Sequence, residues 1–227
     1  MVTKALVVLV NRKKIMKRGP KRSLKPKTPN QAEYIRAISE NDITFCEGPA
    51  GSGKTSVAVG LACQYLKEGR VAKIIITRPV VESGRTGLGF LPGTFKEKIH
   101  PYLIPILEEM KLYLTQPQVK KFLDDDTIEV VPLEYMRGRN FHNCFMILDE
   151  AQNTTHEQIK MFITRIGRKS KAVVNGDIDQ SDLPPSARGA LENCLDKLEG
   201  TNLVGIVELT DDDIVRNRII SAILAKL

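Results

Sequence analysis

The sequence predicts a single α/β domain built on a mostly parallel β-sheet, with helices on both faces of the sheet. Short apolar runs that resemble buried strands alternate with segments of helical period, which is typical of a parallel sheet covered on both sides. A length of 227 residues, 42% of them hydrophobic, is enough for one large domain and short for two. The predicted strands are residues 43–47, 73–77, 127–131, 144–148, 171–175 and 203–209.

The helical segments between these strands have recognisable beginnings and ends. Glycines bound one of them, prolines at positions 101 and 105 must bend another, and acids at the start of the last one complement the helix dipole. Helices are predicted at residues 28–41, 53–69 and 95–114, and from about Asp213 to Leu227. A further helix is predicted to start at a capping box formed by Thr155 and Gln158.

Positive charge is concentrated at the start of the chain. Residues 1–27 carry ten of the 34 lysines and arginines and no acid, so the remainder has 24 bases against 27 acids, a net charge of −3. We expect residues 1–27 to be a largely disordered tail, either a solvated extension or an arm that contacts nucleic acid. Four cysteines without CxxC spacing favour a reducing cytoplasm. The apolar residues 5–10 are too few for a membrane anchor, so we expect no membrane association.

A phosphate-binding loop follows the first predicted strand. The sequence "GPAGSGKT" satisfies the pattern G-x-x-x-x-G-K-S/T between a strand and a helix, where backbone N–H groups can surround phosphates. Lys54 should reach the β- and γ-phosphates, and Thr55 should offer its hydroxyl to Mg²⁺. The residues assigned to nucleotide binding here are Gly48, Pro49, Ala50, Gly51, Ser52, Gly53, Lys54, Thr55 and Ser56.

Two carboxylates and one amide define the expected reaction. Asp149 ends the apolar run "CFMIL" and is the expected partner of Mg²⁺. Glu150, which points the other way on an extended backbone, would be free to activate a water molecule, and this favours hydrolysis over transfer to a small molecule. The sequence contains no Asn-Lys-x-Asp motif for reading guanine, and Gln31 could read the edge of adenine, so the expected nucleotide is ATP.

A third polar segment, "VVNGDIDQSDLP" (173–184), also follows a predicted strand. If that strand lies between the loop strand and the Asp149 strand, its carboxyl end faces the γ-phosphate. Gln180 or Asp177 could then sense whether this phosphate is present.

With these elements in place, residues 28–227 resemble the PhoH family of P-loop ATPases. The resemblance rests on "TPNQ", "GPAGSGKT", "TRPVVESG", "LGFLPGTFKEKIHPYLIPI", "PLEYMRGR", "MILDEAQN", "GDIDQSDLP" and "DIVRNRII". It implies a fold similar to the first RecA-like domain of superfamily 1 helicases, a link to phosphate starvation in bacteria, occurrence in bacteriophages, and action on RNA in some members. The resemblance makes Gln31 the adenine contact, Thr55 and Asp149 the Mg²⁺ ligands, Glu150 the catalytic base and Gln180 the γ-phosphate sensor.

A two-domain helicase completes its ATP site with an arginine from the second domain, and this sequence has room for one such domain. The resemblance implies a homohexameric ring, in which a neighbouring subunit would supply that arginine. Arg216 is the first candidate, Arg188 the second and Arg78 the third. Arg78, Arg137 and Arg139 are candidate contacts to RNA or single-stranded DNA. The competing hypotheses are a nucleotide-dependent regulatory protein without translocation and, third, a small-molecule kinase.

Overall fold

The computed structural model describes residues 23–79 and 104–215, and the described chain forms a six-stranded sheet in which every paired strand is parallel. The strands are β1 (Ile43–Glu47), β2 (Lys73–Thr77), β3 (Ile128–Val130), β4 (Cys144–Leu148), β5 (Lys171–Gly176) and β6 (Val204–Glu208). Their order across the sheet is β3-β2-β4-β5-β1-β6. All six predicted strands are therefore confirmed, with ends that differ by at most one residue.

The helices begin and end at residues with clear local causes. They are α1 (Pro29–Glu40), α2 (Lys54–Glu68), α3 (Gln116–Asp124), α4 (His156–Ile163) and α5 (Ala190–Leu198), and residues 104–110 are also helical. Thr28 caps α1 by accepting a hydrogen bond from the backbone N–H of Gln31. Gly69 ends α2 in the left-handed conformation, and the predicted capping box of Thr155 and Gln158 starts α4.

Apolar side chains cover both faces of the sheet, as the sequence predicts. Alternate residues of β2 point to opposite sides, so Ile74 and Ile76 join the core with α1, α2 and α3, while Ile75 joins the core with α4 and α5. Because the sheet is buried on both sides, its polar residues are concentrated at the strand ends. The carboxyl ends of β1, β4 and β5 are adjacent, and this edge positions the site.

Two predicted helices lie partly outside the described residues. Residues 95–103 and 216–227 belong to that part of the chain, as does most of the basic tail, residues 1–22. The helix predicted from about Asp213 does not begin at that residue, because Asp211–Asp213 form a single 3-10 turn closed by the N–H of Asp213 on the carbonyl of Thr210, and the rest of the predicted helix stays a prediction. Of the helices in the described ranges, none combines the length and apolar character needed to cross a membrane.

Candidate nucleotide-binding site

The phosphate-binding loop connects β1 to α2, and two of its glycines are required by close contacts. Gly48 has φ +151°, and a Cβ atom there would lie 2.3 Å from the carbonyl oxygen of Leu209. Gly53 has φ +98°, and a Cβ atom there would lie 2.7 Å from Nε2 of Gln31. A larger residue at position 48 would push the loop away from the backbone that follows β6, and one at position 53 would be strained by the left-handed backbone and would displace the Gln31 amide.

The loop forms one wall of a cavity of about 1000 Å³ at the carboxyl edge of the sheet. Asp149 and Glu150 at the end of β4 line this cavity, as do Asp177 and Gln180 after β5. The strand order explains this convergence, since β5 lies between β1 and β4. The condition on which the sensor prediction depended is therefore met.

Thr55 and Asp149 meet at the predicted metal-binding end of the cavity. The Thr55 hydroxyl donates a hydrogen bond of 2.8 Å to Oδ1 of Asp149, which is only 4% exposed. Burial raises the pKa of Asp149, and the hydrogen bond from Thr55 acts against that rise. A hydroxyl and a carboxylate beside a phosphate loop are the oxygen donors that Mg²⁺ takes alongside water and substrate phosphates, so these residues fit that ion.

Lys54 contacts its own loop. Its Nζ donates to the carbonyl oxygens of Gly48 and Pro49, the latter at 2.9 Å. The ammonium therefore bridges two carbonyl groups of the loop, and its contact with the β- and γ-phosphates stays a prediction. If phosphate bound here, Lys54 would exchange these neutral carbonyl acceptors for charged phosphate oxygens.

Glu150 lies at the cavity but not in the predicted conformation. Its φ is +58°, which is left-handed, so the prediction of an extended backbone is wrong. The chain turns immediately after β4, because the N–H of Asn153 bonds to the carbonyl of Glu150. The side chain is not free either: Oε1 accepts a bond of 3.0 Å from Arg78, and Oε2 accepts one of 2.7 Å from Nε2 of Gln152.

Gln152 is a functional candidate to which the sequence analysis gives no role. It is 6% exposed and donates to Glu150, while its Oε1 accepts the backbone N–H of Asp177 at 3.0 Å. The hydroxyl of Ser181 bonds to its carbonyl at 3.0 Å. Gln152 therefore connects the predicted base to the loop that follows β5. An amide two residues after the carboxylate pair, in "DEAQ", is the signal that could have indicated it.

The loop after β5 presents both predicted sensors to the cavity. Gln180 is exposed there, whereas Asp177 is buried, and its Oδ1 accepts the backbone N–H of Asp179. Among the described residues, Oδ2 of Asp177 has no hydrogen-bond partner. The γ-phosphate sensor remains a prediction for both residues.

Gln31 and the end of the basic tail also line the cavity. Nε2 of Gln31 donates to the carbonyl of Ser52 at 2.8 Å, and Oε1 accepts the N–H of Lys27 at 2.9 Å. One amide proton and one oxygen lone pair remain for adenine. Residues 23–27, which the sequence analysis assigns to the tail, line the cavity, and Leu24 packs against the core. The folded part of the chain therefore begins before Thr28.

The candidate arginines have different surroundings. Arg78 lines the cavity of its own chain and pairs there with Glu150, and its roles as the third candidate arginine and as a nucleic-acid contact stay predictions. Arg188 is exposed, with Nε bonded to the carbonyl of Leu183 at 2.6 Å. Arg139 pairs with Glu129 at 2.7 Å, whereas Arg137 is exposed. Arg216 lies outside the described residues.

A parallel sheet with this strand order, a glycine-rich loop between β1 and α2, and a buried aspartate beside the loop threonine define a RecA-like P-loop nucleotide-binding fold. The profile of the family described as "PhoH-like protein" matches residues 23–227. The chain belongs to this family.

Individual relatives agree with this assignment. The chain is 48% identical over 203 residues to a PhoH-like protein of Mycobacterium tuberculosis, covering 89% of this chain and 57% of that protein. It is 43% identical over 210 residues to a PhoH-like protein of Bacillus subtilis, covering 92% and 66%. The chain thus spans a little over half to two thirds of the length of these relatives.

A solved structure supports the fold alone. The large terminase of a thermophilic bacteriophage covers 89% of this chain and 50% of its own, with a TM-score of 0.53 and 12% identity. A second structure of that terminase, in complex with ADP, has a TM-score of 0.52.

Proposed function

We propose that this protein is a Mg²⁺-dependent ATPase. The observation that carries the proposal is the contact between Thr55 of the phosphate loop and Asp149, in a cavity that Glu150 and the rest of the loop also line. Bound Mg²⁺ would neutralise charge on the β- and γ-phosphates. Thr55 and Asp149 are the residues that would hold it.

Glu150 is the proposed general base. A carboxylate within hydrogen-bond distance of a water molecule can accept its proton as the water attacks the γ-phosphate. Arg78 and Gln152 each hold one oxygen of Glu150, so the carboxylate is oriented before nucleotide binds. For this step the water molecule would replace either Arg78 or Gln152 as the hydrogen-bond donor to one carboxylate oxygen, and that oxygen would accept the proton.

A neighbouring subunit is proposed to complete the site. Among the described residues that line the cavity, Arg78 is the single arginine, and it is bonded to Glu150. Charge on the transferring phosphoryl group is commonly stabilised by an arginine, which contributes roughly 10³–10⁵ in rate where it has been measured. We therefore propose a homohexameric ring in which Arg216, or Arg188 as the second candidate, reaches the cavity of the next subunit.

RNA or single-stranded DNA is the proposed substrate of this ATPase, and remodelling or unwinding the proposed outcome. Exposed Arg137 and the ten lysines and arginines of residues 1–27 support contact with phosphates. A reducing cytoplasm is the proposed location, because all four cysteines are buried thiols outside disulfides.

ATP turnover with and without single-stranded RNA and DNA, measured on a fraction of known oligomeric state, tests the proposal. We expect turnover in Mg²⁺ that single strands stimulate, and stimulation that weakens as salt rises. Glu150→Gln should abolish turnover, whereas Glu157→Gln, a matched change at an exposed position on α4, should not. Turnover with no response to either strand at any salt concentration would contradict the motor and favour a regulatory ATPase.

Mixed subunits test the shared site. Arg216→Ala and Glu150→Gln proteins should each be inactive, and a mixture should recover activity at interfaces where an intact arginine meets an intact base. A mixture that forms rings without recovering activity would contradict the role of Arg216.

A further inference from the structure

An acid that the ATPase chemistry does not use contacts the first turn of α2. Oγ of Ser56 donates a hydrogen bond of 2.6 Å to Oε1 of Glu109, and both residues line the cavity. Ser56 directly follows Thr55, so this carboxylate lies one residue from the metal-binding end.

Core packing fixes the position of Glu109. It belongs to the helical residues 104–110, in which Ile106 and Met110 are fully buried in the same core as α2. One turn further along, the ring of Tyr113 would lie 2.8 Å from a Cβ atom on Gly60. The segment therefore packs directly against α2, and Glu109 is held at the cavity wall by the buried residues around it.

A carboxylate at this position is unfavourable for a site that binds only phosphates. The first turn of α2 is the positive end of a helix, and a fixed negative charge beside it would repel the phosphates. The same carboxylate is a strong acceptor for a neutral hydroxyl. In a nucleotide the neutral donors nearest the phosphates are the ribose hydroxyls.

The lining of the cavity agrees with this chemistry. Thr55 and Asp149 are the residues predicted to hold Mg²⁺ beside the phosphates, Gln31 is the residue predicted to contact the adenine, and Glu109 lines the same cavity. We propose that Glu109 accepts a hydrogen bond from a ribose hydroxyl and makes the site selective for ribonucleotides over deoxyribonucleotides. Ser56 is the positioning residue, because its hydroxyl holds one carboxylate oxygen and leaves the other for the sugar. This inference rests on the proposed function, since it requires a nucleotide in the cavity.

Calorimetric titration with ADP, 2′-deoxy-ADP and 3′-deoxy-ADP tests the proposal without requiring hydrolysis. A hydrogen bond to a charged group contributes enough for about a tenfold difference in affinity, so one of the deoxynucleotides should bind wild type about tenfold more weakly than ADP. In Glu109→Ala the difference between ADP and that deoxynucleotide should disappear. Ser56→Ala should reduce the difference, because the carboxylate loses its fixed orientation.

Glu108→Ala is the matched control. Glu108 is the preceding acid on the same helical segment, is 60% exposed and pairs with Lys111, so the wild-type preference should persist. If Glu109→Ala does not fold, Glu109→Gln replaces it, with a neutral acceptor of the same shape and an expected preference below about threefold.

The outcomes separate the two proposals. Wild type that binds none of the three nucleotides would contradict the proposed function itself. Wild type that binds all three equally would overturn the role of Glu109 and leave the nucleotide site intact. A Glu109→Ala protein that binds all three more tightly by one common factor, with the preference unchanged, would reduce Glu109 to a source of repulsion and overturn the proposal.

Discussion

Asp149, which lines the cavity, and Asp213, which contacts the start of α1, are both buried aspartates, but their pKa values are shifted in opposite directions. Asp149 is 4% exposed and Asp213 is 1% exposed. At Asp149 burial raises the pKa and outweighs the single side-chain hydrogen bond from Thr55. At Asp213 burial also raises the pKa, but hydrogen bonds from Thr28, from the backbone and hydroxyl of Thr210 and from Asn30 together lower it below the usual value.

This difference is the one expected between the proposed metal ligand and a structural carboxylate. The oxygens of Asp213 are bonded by the start of α1 and by Thr210, so this residue fastens the segment after β6 to the helix that carries Gln31. Asp149 has fewer donors than a buried carboxylate needs, and a cation would supply what is missing. We therefore expect the Asp149 carboxylate to lower the free energy of unfolding and the Asp213 carboxylate to raise it.

The largest expected effect is on catalysis. Asp149→Asn should lower Mg²⁺-dependent ATP turnover by about 100-fold or more, because a metal ion contributes several kcal/mol of charge stabilisation. Asp213→Asn should leave the Mg²⁺ dependence of turnover unchanged. Turnover of both variants is measured over a range of Mg²⁺ concentrations. Equal losses in the two variants would contradict the different roles given to Asp149 and Asp213.

A smaller loss is expected from Gln152→Leu. The substitution keeps the side-chain volume but removes the link between Glu150 and Asp177, so kcat should fall about tenfold with little change in nucleotide affinity. Gln158→Leu on α4 is the control, since Gln158 caps its helix away from the cavity. If kcat is unchanged while KM rises, Gln152 assists nucleotide binding and does not orient the general base Glu150.

Asp213→Asn should destabilise the protein. Loss of hydrogen bonds to a charged group should lower the free energy of unfolding by about 1–3 kcal/mol at neutral pH. Because the pKa of Asp213 is lowered in the folded state, its contribution is present above the unfolded pKa and is lost as pH falls through the folded pKa. The difference from wild type, measured by urea unfolding, should therefore shrink below about pH 4.

The smallest expected effect is a gain in stability, in contrast to the loss expected for Asp213→Asn. Asp149→Asn should raise the melting temperature of the nucleotide-free protein by a few degrees at most, since it removes a buried charge and keeps an acceptor for Thr55. The folded pKa of Asp149 is raised, so the destabilisation is fully present above the folded pKa and disappears as pH falls to the unfolded value. Thermal unfolding in acidic buffers checks this, and a variant less stable than wild type at pH 7 would contradict it.

The sequence predicts the parts of this site that depend on local pattern. The ends of β4 and β5 and the positions of Lys54, Thr55 and Asp149 follow from apolar runs bounded by a known motif. The left-handed backbone of Glu150 and its bond to Arg78, 72 residues earlier, follow from the turn after β4 and from the adjacency of β2 and β4. The contact between Ser56 and Glu109 joins residues that are 53 positions apart in the sequence. Hydrophobic periodicity predicts local elements and gives no information on such a contact.

The assignment of Asp149 to metal binding and of Asp213 to structure is tested most directly by thermal unfolding of wild type, Asp149→Asn and Asp213→Asn, with and without Mg²⁺ and ADP. Wild type should gain stability from the two ligands together, by an amount set by ligand concentration and affinity. We predict that Asp213→Asn melts lower than wild type but keeps this gain, and that Asp149→Asn melts slightly higher but loses the part of the gain that requires Mg²⁺. A full Mg²⁺-dependent gain in Asp149→Asn would contradict the assignment of Asp149 as the residue that holds the metal.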